Sequence, residues 1–460
     1  MSAPGRGRPR RRASSDVVAL LATWLCLQLL VSVVAVVLLQ PGGGPPAGPV
    51  ADGGAVRAAP SAPEPDPRAV REQAVRALLD ARAAAVMSRD REAFLAGVRP
   101  EDPEFLGRQA ALFDNLAEVP LSSWEYQLDP RTDRGPDAEL DGRYGTGQWW
   151  APDVVLKYAI ADFDPEPTYA PQRLTFVQSG GTWALASDDD FAEAGAASAR
   201  GLWDAGPVVA FRGERTLALG HPGSEDLLRE LAAGVDAAVP RVSAVWGTDW
   251  SQTVVVLVPD DQAELEELLG GGIDLTRIAA VATAELTDLE GGYHPVGNRV
   301  IVNPPNFAKL GRLGRQVVLT HETAHVATRK ATGPDVPTWL VEGLADYIGY
   351  LDVPVPLTTA AREVQTAVAE GRIPERLPAD ADFDGANEDL PLAYESSWLA
   401  FRLIVDTYGL EPALRFYRAV GASRDAGSDV ALERAFADEL GTSTAAFTAA
   451  WREHLASTFS

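Results

Sequence analysis

Cysteine is almost missing from this 460-residue chain: Cys26 is the only one. It lies inside a long apolar run, so whatever folds beyond that run has no internal disulfide. A small disulfide-stapled scaffold is thereby excluded, and the fold must be held by a packed core or a metal. Lysine is scarce as well, with only Lys157, Lys309 and Lys330; the other basic residues are arginine, a coding bias without functional content. Positive charge as a whole is in deficit, 40 Lys and Arg against 65 Asp and Glu, for a net −25. The first 40 residues hold five Arg and one Asp, which leaves −29 for the remainder. Such a surface opposes nucleic acid and anionic membrane as partners. It reads first as a solvated acidic surface, and second as an attraction for basic peptides. There are five histidines. No internal repeat is visible.

The most distinctive stretch near the N-terminus is Val17–Leu39, a 23-residue apolar run without a charge. It is longer than the roughly 20 residues needed to span a bilayer. Arg6, Arg8, Arg10, Arg11 and Arg12 precede it, which sets that end in the cytoplasm. The expectation is a cytoplasmic basic tail (1–16) and an uncleaved signal anchor (17–39) in the cell membrane, with everything after it extracytoplasmic. The rival is a cleaved signal peptide, whose apolar core is shorter and ends in a small-x-small site. Both export residues 41–460. Residues 40–67 are rich in Pro, Gly and Ala without apolar periodicity and read as a linker.

Two modules come next, giving an α+β chain of two domains. In residues 68–192, helical spacing covers Ala69–Met87 and Phe105–Leu116. Strand-like runs occupy Trp124–Leu128, Gly145–Trp150, Val154–Ile160, Gln172–Gln178 and Thr182–Ser187, with a tight turn at Gly180-Gly181. This order resembles the nuclear-transport-factor-2-like cone fold (the SnoaL and ketosteroid isomerase group), at the level of fold only. Asp188-Asp189-Asp190 reads as a solvated strand end rather than a cation site. In residues 205–460, Val208–Arg212 and Arg215–Gly220 suggest a hairpin and Asp226–Trp246 a helix. Thr253–Val258, Ile278–Thr287 and Arg299–Asn303 suggest strands, and Gln262–Leu269 a short helix. Helices dominate from Val317 onward.

His321-Glu322-Thr323-Ala324-His325 lies in the helical segment 317–328. Four residues turn a helix by about 400°, so both imidazoles leave one face, one turn apart. Two nitrogens so placed bind one Zn²⁺, and Glu322 between them reaches a water without ligating the ion. A catalytic zinc usually takes a third protein ligand, yet the next histidine is His454. The chain continues instead with Pro337-Thr338-Trp339-Leu340-Val341-Glu342-Gly343-Leu344-Ala345-Asp346-Tyr347. Trp339, Leu340, Leu344 and Tyr347 form an apolar stripe. Glu342 then faces the first helix, where a buried carboxylate needs a partner, either a zinc ion or an arginine such as Arg329. Asp346 shares the face of Glu342 and suits the spare ring N–H of a ligand histidine.

H-E-x-x-H followed by a helix with E-x-x-x-D resembles the gluzincin metallopeptidases, the thermolysin-like group also called peptidase MA. Trp339-Leu340-x-Glu342-Gly343-Leu344-Ala345-x-Tyr347 is typical of its small bacterial branch. The resemblance covers roughly 205–460. It implies one Zn²⁺ held by His321, His325 and Glu342, with Glu322 as general base and a peptide or protein as substrate. It supports Tyr394 weakly as an oxyanion donor; Tyr394 also reads as a half-buried packing residue. Tyr347 and Tyr350 read as core. In this family the strand before the metal helix, here Asn298–Asn303, forms a sheet edge that an extended substrate joins; an ordinary edge strand ended by Pro304-Pro305 is the alternative. His294 and His221 read as solvated loop histidines, and His454 as the exposed face of the last helix. Pro354–Asp389 reads as a loop region over the cleft. No aminopeptidase motif of the G-x-M-E-N type is present, which favours an endopeptidase. The alternative is a cell-surface binding or scaffold protein with an inactive peptidase-like domain. Nothing in the residues sets an oligomeric state.

Overall fold

The structure, a computed structural model, describes residues 34–36, 66–271, 278–289, 292–423 and 427–460. After a three-residue strand β1 (Val34–Val36), three helices follow: α1 (Pro67–Ser88), α2 (Arg91–Ala96) and α3 (Pro103–Asn115). Each begins at an aspartate, Asp66, Asp90 or Asp102, whose carboxylate accepts an amide of the first turn. This is the most favourable kind of N-cap. Next come β2 (Leu121–Asp129), α4 (Ala138–Tyr144), β3 (Trp149–Trp150), β4 (Asp153–Ile160), β5 (Thr168–Arg173), β6 (Thr175–Ser179) and β7 (Thr182–Ser187). They form two antiparallel sheets, ordered β2-β4-β5 and β3-β6-β7. The single strand expected over 172–178 is two strands in different sheets. Leu174 is the buried corner between them. The run 145–150 is strand only at its last two residues. Gly180 and Gly181 both take positive φ, as their tight turn requires.

The second half starts with α5 (Leu202–Ala205), β8 (Val209–Arg212), β9 (Thr216–Gly220), α6 (Glu225–Trp246), β10 (Val254–Val258), α7 (Gln262–Leu268), β11 (Ala280–Leu289) and β12 (Gly292–Val302). Helices complete it: α8 (Pro304–Phe307), α9 (Arg312–Thr328), α10 (Thr338–Tyr350), α11 (Leu357–Ala360), α12 (Arg362–Ala369), α13 (Leu390–Tyr408), α14 (Leu410–Ala422), α15 (Ser428–Leu440) and α16 (Thr444–Phe459). The sheet order is β1-β11-β12-β10-β9-β8. Strands β9, β10 and β12 run parallel; β8 is antiparallel to β9 and β11 to β12, while β1 runs parallel to β11. The chain is therefore α+β, with helices and antiparallel pieces around a short parallel centre.

The faces of this sheet differ. Ala218, Val254, Val256 and Val300 pack with Leu231, Val235, Val317 and Leu319 of α6 and α9. Leu217, Leu219 and Val255 pack with Phe94, Trp124 and Leu156 of the first half. One apolar cluster thus crosses from the first half to the second.

Two sequence expectations about this sheet are corrected. Residues 298–303 are not an edge: β12 lies between β11 and β10. Arg299, Val300, Ile301 and Val302 are all buried. An unbroken buried run of this kind marks an interior strand. Among the described residues the edge on that side is β1, which pairs with β11 at Ala284–Leu286 and leaves Ala280–Thr283 without a strand partner on the outer side. His294 is not in a loop either, since β12 begins at Gly292 and pairs His294 with Thr287. No helix among the described residues is long and apolar enough to cross a membrane. The 17–39 run, apart from β1, lies outside the described residues, as do the basic tail and the linker up to residue 65.

Candidate metal centre

Helix α9 is buried on every side from Val317 to Thr328. Its threonines manage this by bonding back to the helix, Thr320 Oγ1 to the Gln316 carbonyl at 2.8 Å and Thr323 Oγ1 to that of Leu319 at 2.6 Å. His321, Glu322 and His325 have no such local outlet. Helix α10 comes alongside. Gly343 is what lets it approach α13, because a Cβ there would stand 2.6 Å from the Ser397 carbonyl oxygen. Its neighbouring face carries Glu342, Asp346 and Gly349 toward α9, where a Cβ at Gly349 would meet Val317 and His321.

The two faces converge on one point. Glu342 Oε2 lies 3.2 Å from His321 Nε2 and 3.4 Å from His325 Nε2, and the two Nε2 atoms are 2.9 Å apart. Three donors at 2.0–2.1 Å from a tetrahedral zinc stand about 3.3 Å from one another, so this triangle fits that ion. Asp346 Oδ1 is 2.8 Å from His321 Nδ1, which fixes the proton there and leaves Nε2 with its lone pair toward the other donors. Neither oxygen of Glu322 completes a hydrogen bond, and nor does Glu342 Oε2, although all three are buried. Orphaned carboxylate oxygens facing two imidazoles call for a cation.

Electrostatics point the same way. Burial opposes charge on His321, but Asp346 and Glu342 overcome it and raise its pKa. Burial likewise works against the Glu342 carboxylate, and the imidazoles more than reverse it, holding its pKa below the usual range. His325 is lowered, chiefly by burial. Burial pushes Glu322 up to about 8, against the pull of the His321 charge, with Glu342 adding to the rise and the Ala282 backbone opposing it. A carboxyl tuned close to neutrality is suited to taking and returning a proton.

No protein-family model matches this chain, and neither does any curated protein. The site is therefore read from its own geometry. His321, His325 and Glu342 are brought together, with Glu322 and Asp346 beside them. Arg329 does not pair with Glu342; its Nη2 donates to the Ala282 carbonyl at 2.7 Å. Tyr394 is 2% exposed and stands edge-on to Phe383 in the helical core, so it is more deeply buried than its sequence reading allowed. Tyr347 and Tyr350 pack against the same core, as expected.

Other residues sit differently from their sequence reading. His221 is buried, not solvated. Its Nδ1 is 2.8 Å from the Pro207 carbonyl and its Nε2 2.7 Å from Glu264 Oε1. The cause is long-range: the end of β9 packs on the start of α7. His454 is half-buried on α16. Asp188 and Asp190 are not solvated either, being bonded to Arg200 and Arg143 respectively. Glu395 carried no signal in the sequence. It is 3% exposed, and its Oε2 accepts the Val364 amide at 2.8 Å, capping α12 from the side of α13. That helix lies in the interval read as loop. A cavity of about 800 Å³ lies between the first half and the sheet, lined by Tyr158, Leu257, Glu285 and Arg299, and none of the metal donors lines it.

Proposed function

We propose that this chain is a zinc metallopeptidase of the gluzincin type, anchored in the membrane by residues 17–39 and acting outside the cytoplasm. The observation that carries this reading is the triangle of His321 Nε2, His325 Nε2 and Glu342 Oε2, with the unpartnered carboxylate of Glu322 beside it. A zinc ion bound there supplies Lewis acidity to the scissile carbonyl and to the attacking water. Asp346 holds His321 in the tautomer that presents Nε2. Glu322 takes a proton from the attacking water and returns it to the departing amine. Next to Glu322, Ala280–Thr283 of β11 has no strand partner on its outer side among the described residues, and an extended peptide joining it there would share that side with Arg329, which holds the Ala282 carbonyl. No motif anchors a substrate amine, which favours endopeptidase action. The nuclear-transport-factor-2-like resemblance of residues 68–192 stands on helices followed by two antiparallel sheets.

The test combines metal analysis with cleavage of a mixed peptide library. One zinc per chain is expected in the wild type and in Glu322→Gln, with cleavage lowered about 10³-fold in the variant.

One observation favours a second reading. The four residues His321, Glu322, His325 and Glu342 are 0–2% exposed. A peptide must open the structure to reach them. Full zinc occupancy with no cleavage of any peptide by the wild type makes the chain a cell-surface binding or scaffold protein with a closed metal centre.

A further inference from the structure

One buried ion pair joins the two halves and takes no part in the proposed hydrolysis. Asp164, in the turn after β4, takes Arg299 of β12 in a fork: Nη1 to Oδ1 and Nη2 to Oδ2 are each 2.7 Å. The two side chains, Arg299 and Asp164, are 6% and 4% exposed. Thr168 Oγ1 accepts a third bond from Arg299 Nη2 at 3.2 Å, and the Ile160 amide donates to Asp164 Oδ2 at 2.8 Å. Two residues before Arg299, Gly297 takes φ +62°, and a Cβ there would stand 2.4 Å from Thr168 Oγ1. The first half therefore lies directly on β12.

The other side of this contact is the metal centre. Arg299 pairs across the ladder with Thr283 of β11. The residue before it, Ala282, has its carbonyl bonded to Arg329 and its backbone against Glu322. The β11 register shifts just after Thr283. Buried ion pairs contribute little net stability, because desolvation offsets their attraction. A rigid bidentate fork does fix direction and register.

We propose that Asp164 and Arg299 are positioning residues: the first half, through this pair, sets β11 and β12 in the register that holds the Ala282 backbone against Glu322. The catalytic consequence rests on the peptidase reading; the mechanical one does not. Residues 68–192 are then a working part of the cleft wall. They are neither a spacer nor a detachable recognition unit.

The test is amide exchange, followed by mass spectrometry, on the whole chain. Asp164→Asn is compared with wild type and with Asp164→Leu/Arg299→Met, which removes both charges together and so leaves no unpaired charge. In both variants the β12-bonded amides of 280–284 are expected to exchange about tenfold faster, with 254–258 changed less than about twofold. Zinc content stays at the wild-type level. The fall in kcat/KM, also about tenfold, appears in KM, because the metal donors and Glu322 sit on α9 and α10, which the pair does not touch. Unchanged protection of 280–284 in the double variant overturns the proposal. Equal loosening of 254–258 also overturns it, being the mark of plain destabilisation. If wild type cleaves no peptide, the peptidase reading fails and the exchange comparison still decides the positioning role.

Discussion

Two buried polar clusters in this molecule are built on opposite plans. In the first half, Arg82 bonds Tyr126, the Phe94 carbonyl and Gln109. Gln109 in turn donates to Asp188 Oδ2 at 3.1 Å, which also accepts from Arg200 at 3.0 Å. Even Asp188 Oδ1, without a hydrogen bond, has Arg108 3.8 Å away. Cation and anion are matched within the protein, and the adjoining cavity holds only about 50 Å³. Around His321 the matching stops short. Glu322, Glu342 and Asp346 face two imidazoles, and three carboxylate oxygens are left without a hydrogen bond. A cluster that closes on itself supports a fold, whereas one that lacks positive charge is built to receive it.

The largest effect on this contrast comes from changing Glu342. Glu342→Ala removes a ligand, and zinc per chain is expected to fall from one to near zero by atomic absorption, with all cleavage lost. Retained zinc would make the centre no different from the first cluster. The opposite experiment is Arg82→Met. Loss of this buried donor leaves Gln109 Oε1 without its partner and is expected to cost about 2 kcal/mol in a denaturant titration. Zinc content should not change; a loss would show the two clusters to be coupled.

Smaller effects refine the contrast. Asp346→Asn keeps the ligands but weakens the hold on the His321 tautomer, so zinc affinity measured by chelator competition should fall about 10–100-fold. Glu395 gives the smallest effect and lies outside both clusters. Burial, outweighing the Val364 amide, pushes its pKa up to about 8. The folded state therefore binds its proton more tightly than the unfolded chain does. Its stabilising contribution is full below pH 4.5, the unfolded value, and is lost as pH rises through about 8. Glu395→Gln should flatten that loss, raising stability relative to wild type at pH 9 by on the order of 2 kcal/mol. Parallel pH curves for the two proteins would refute the assignment.

Much of the fold was legible because its signals are local. Helical spacing over 69–87 and 105–116 announces α1 and α3, and Gly180-Gly181 announces its turn. The apolar run and length of 253–258 announce a strand. That β12 is interior is not legible in its sequence, because an apolar run does not say which strands flank it, and its flanking partners β10 and β11 are set by tertiary pairing. His221 and Asp188 were misread as solvated for a similar reason. The turn at His221-Pro222 and the run of three aspartates at a strand end suggest exposure, but Glu264, Gln109 and Arg200 reach them from other elements. Arg299 carried no signal at all, since its partner Asp164 is 135 residues away.

Helical pitch alone puts two imidazoles on one face with a carboxylate between them, once residues 317–328 are helical. That much is written in the sequence, as is the spacing of Glu342 and Asp346 on a second helix. Tertiary packing was needed to bring Glu342 Oε2 to both Nε2 atoms, to give His321 the Asp346 carboxylate rather than a backbone carbonyl, and to make the first half grip β12 through Arg299. Those contacts join residues 17 to 135 positions apart. At such separations the packing of helix on helix and sheet on sheet sets the distances, because local backbone preference no longer constrains them.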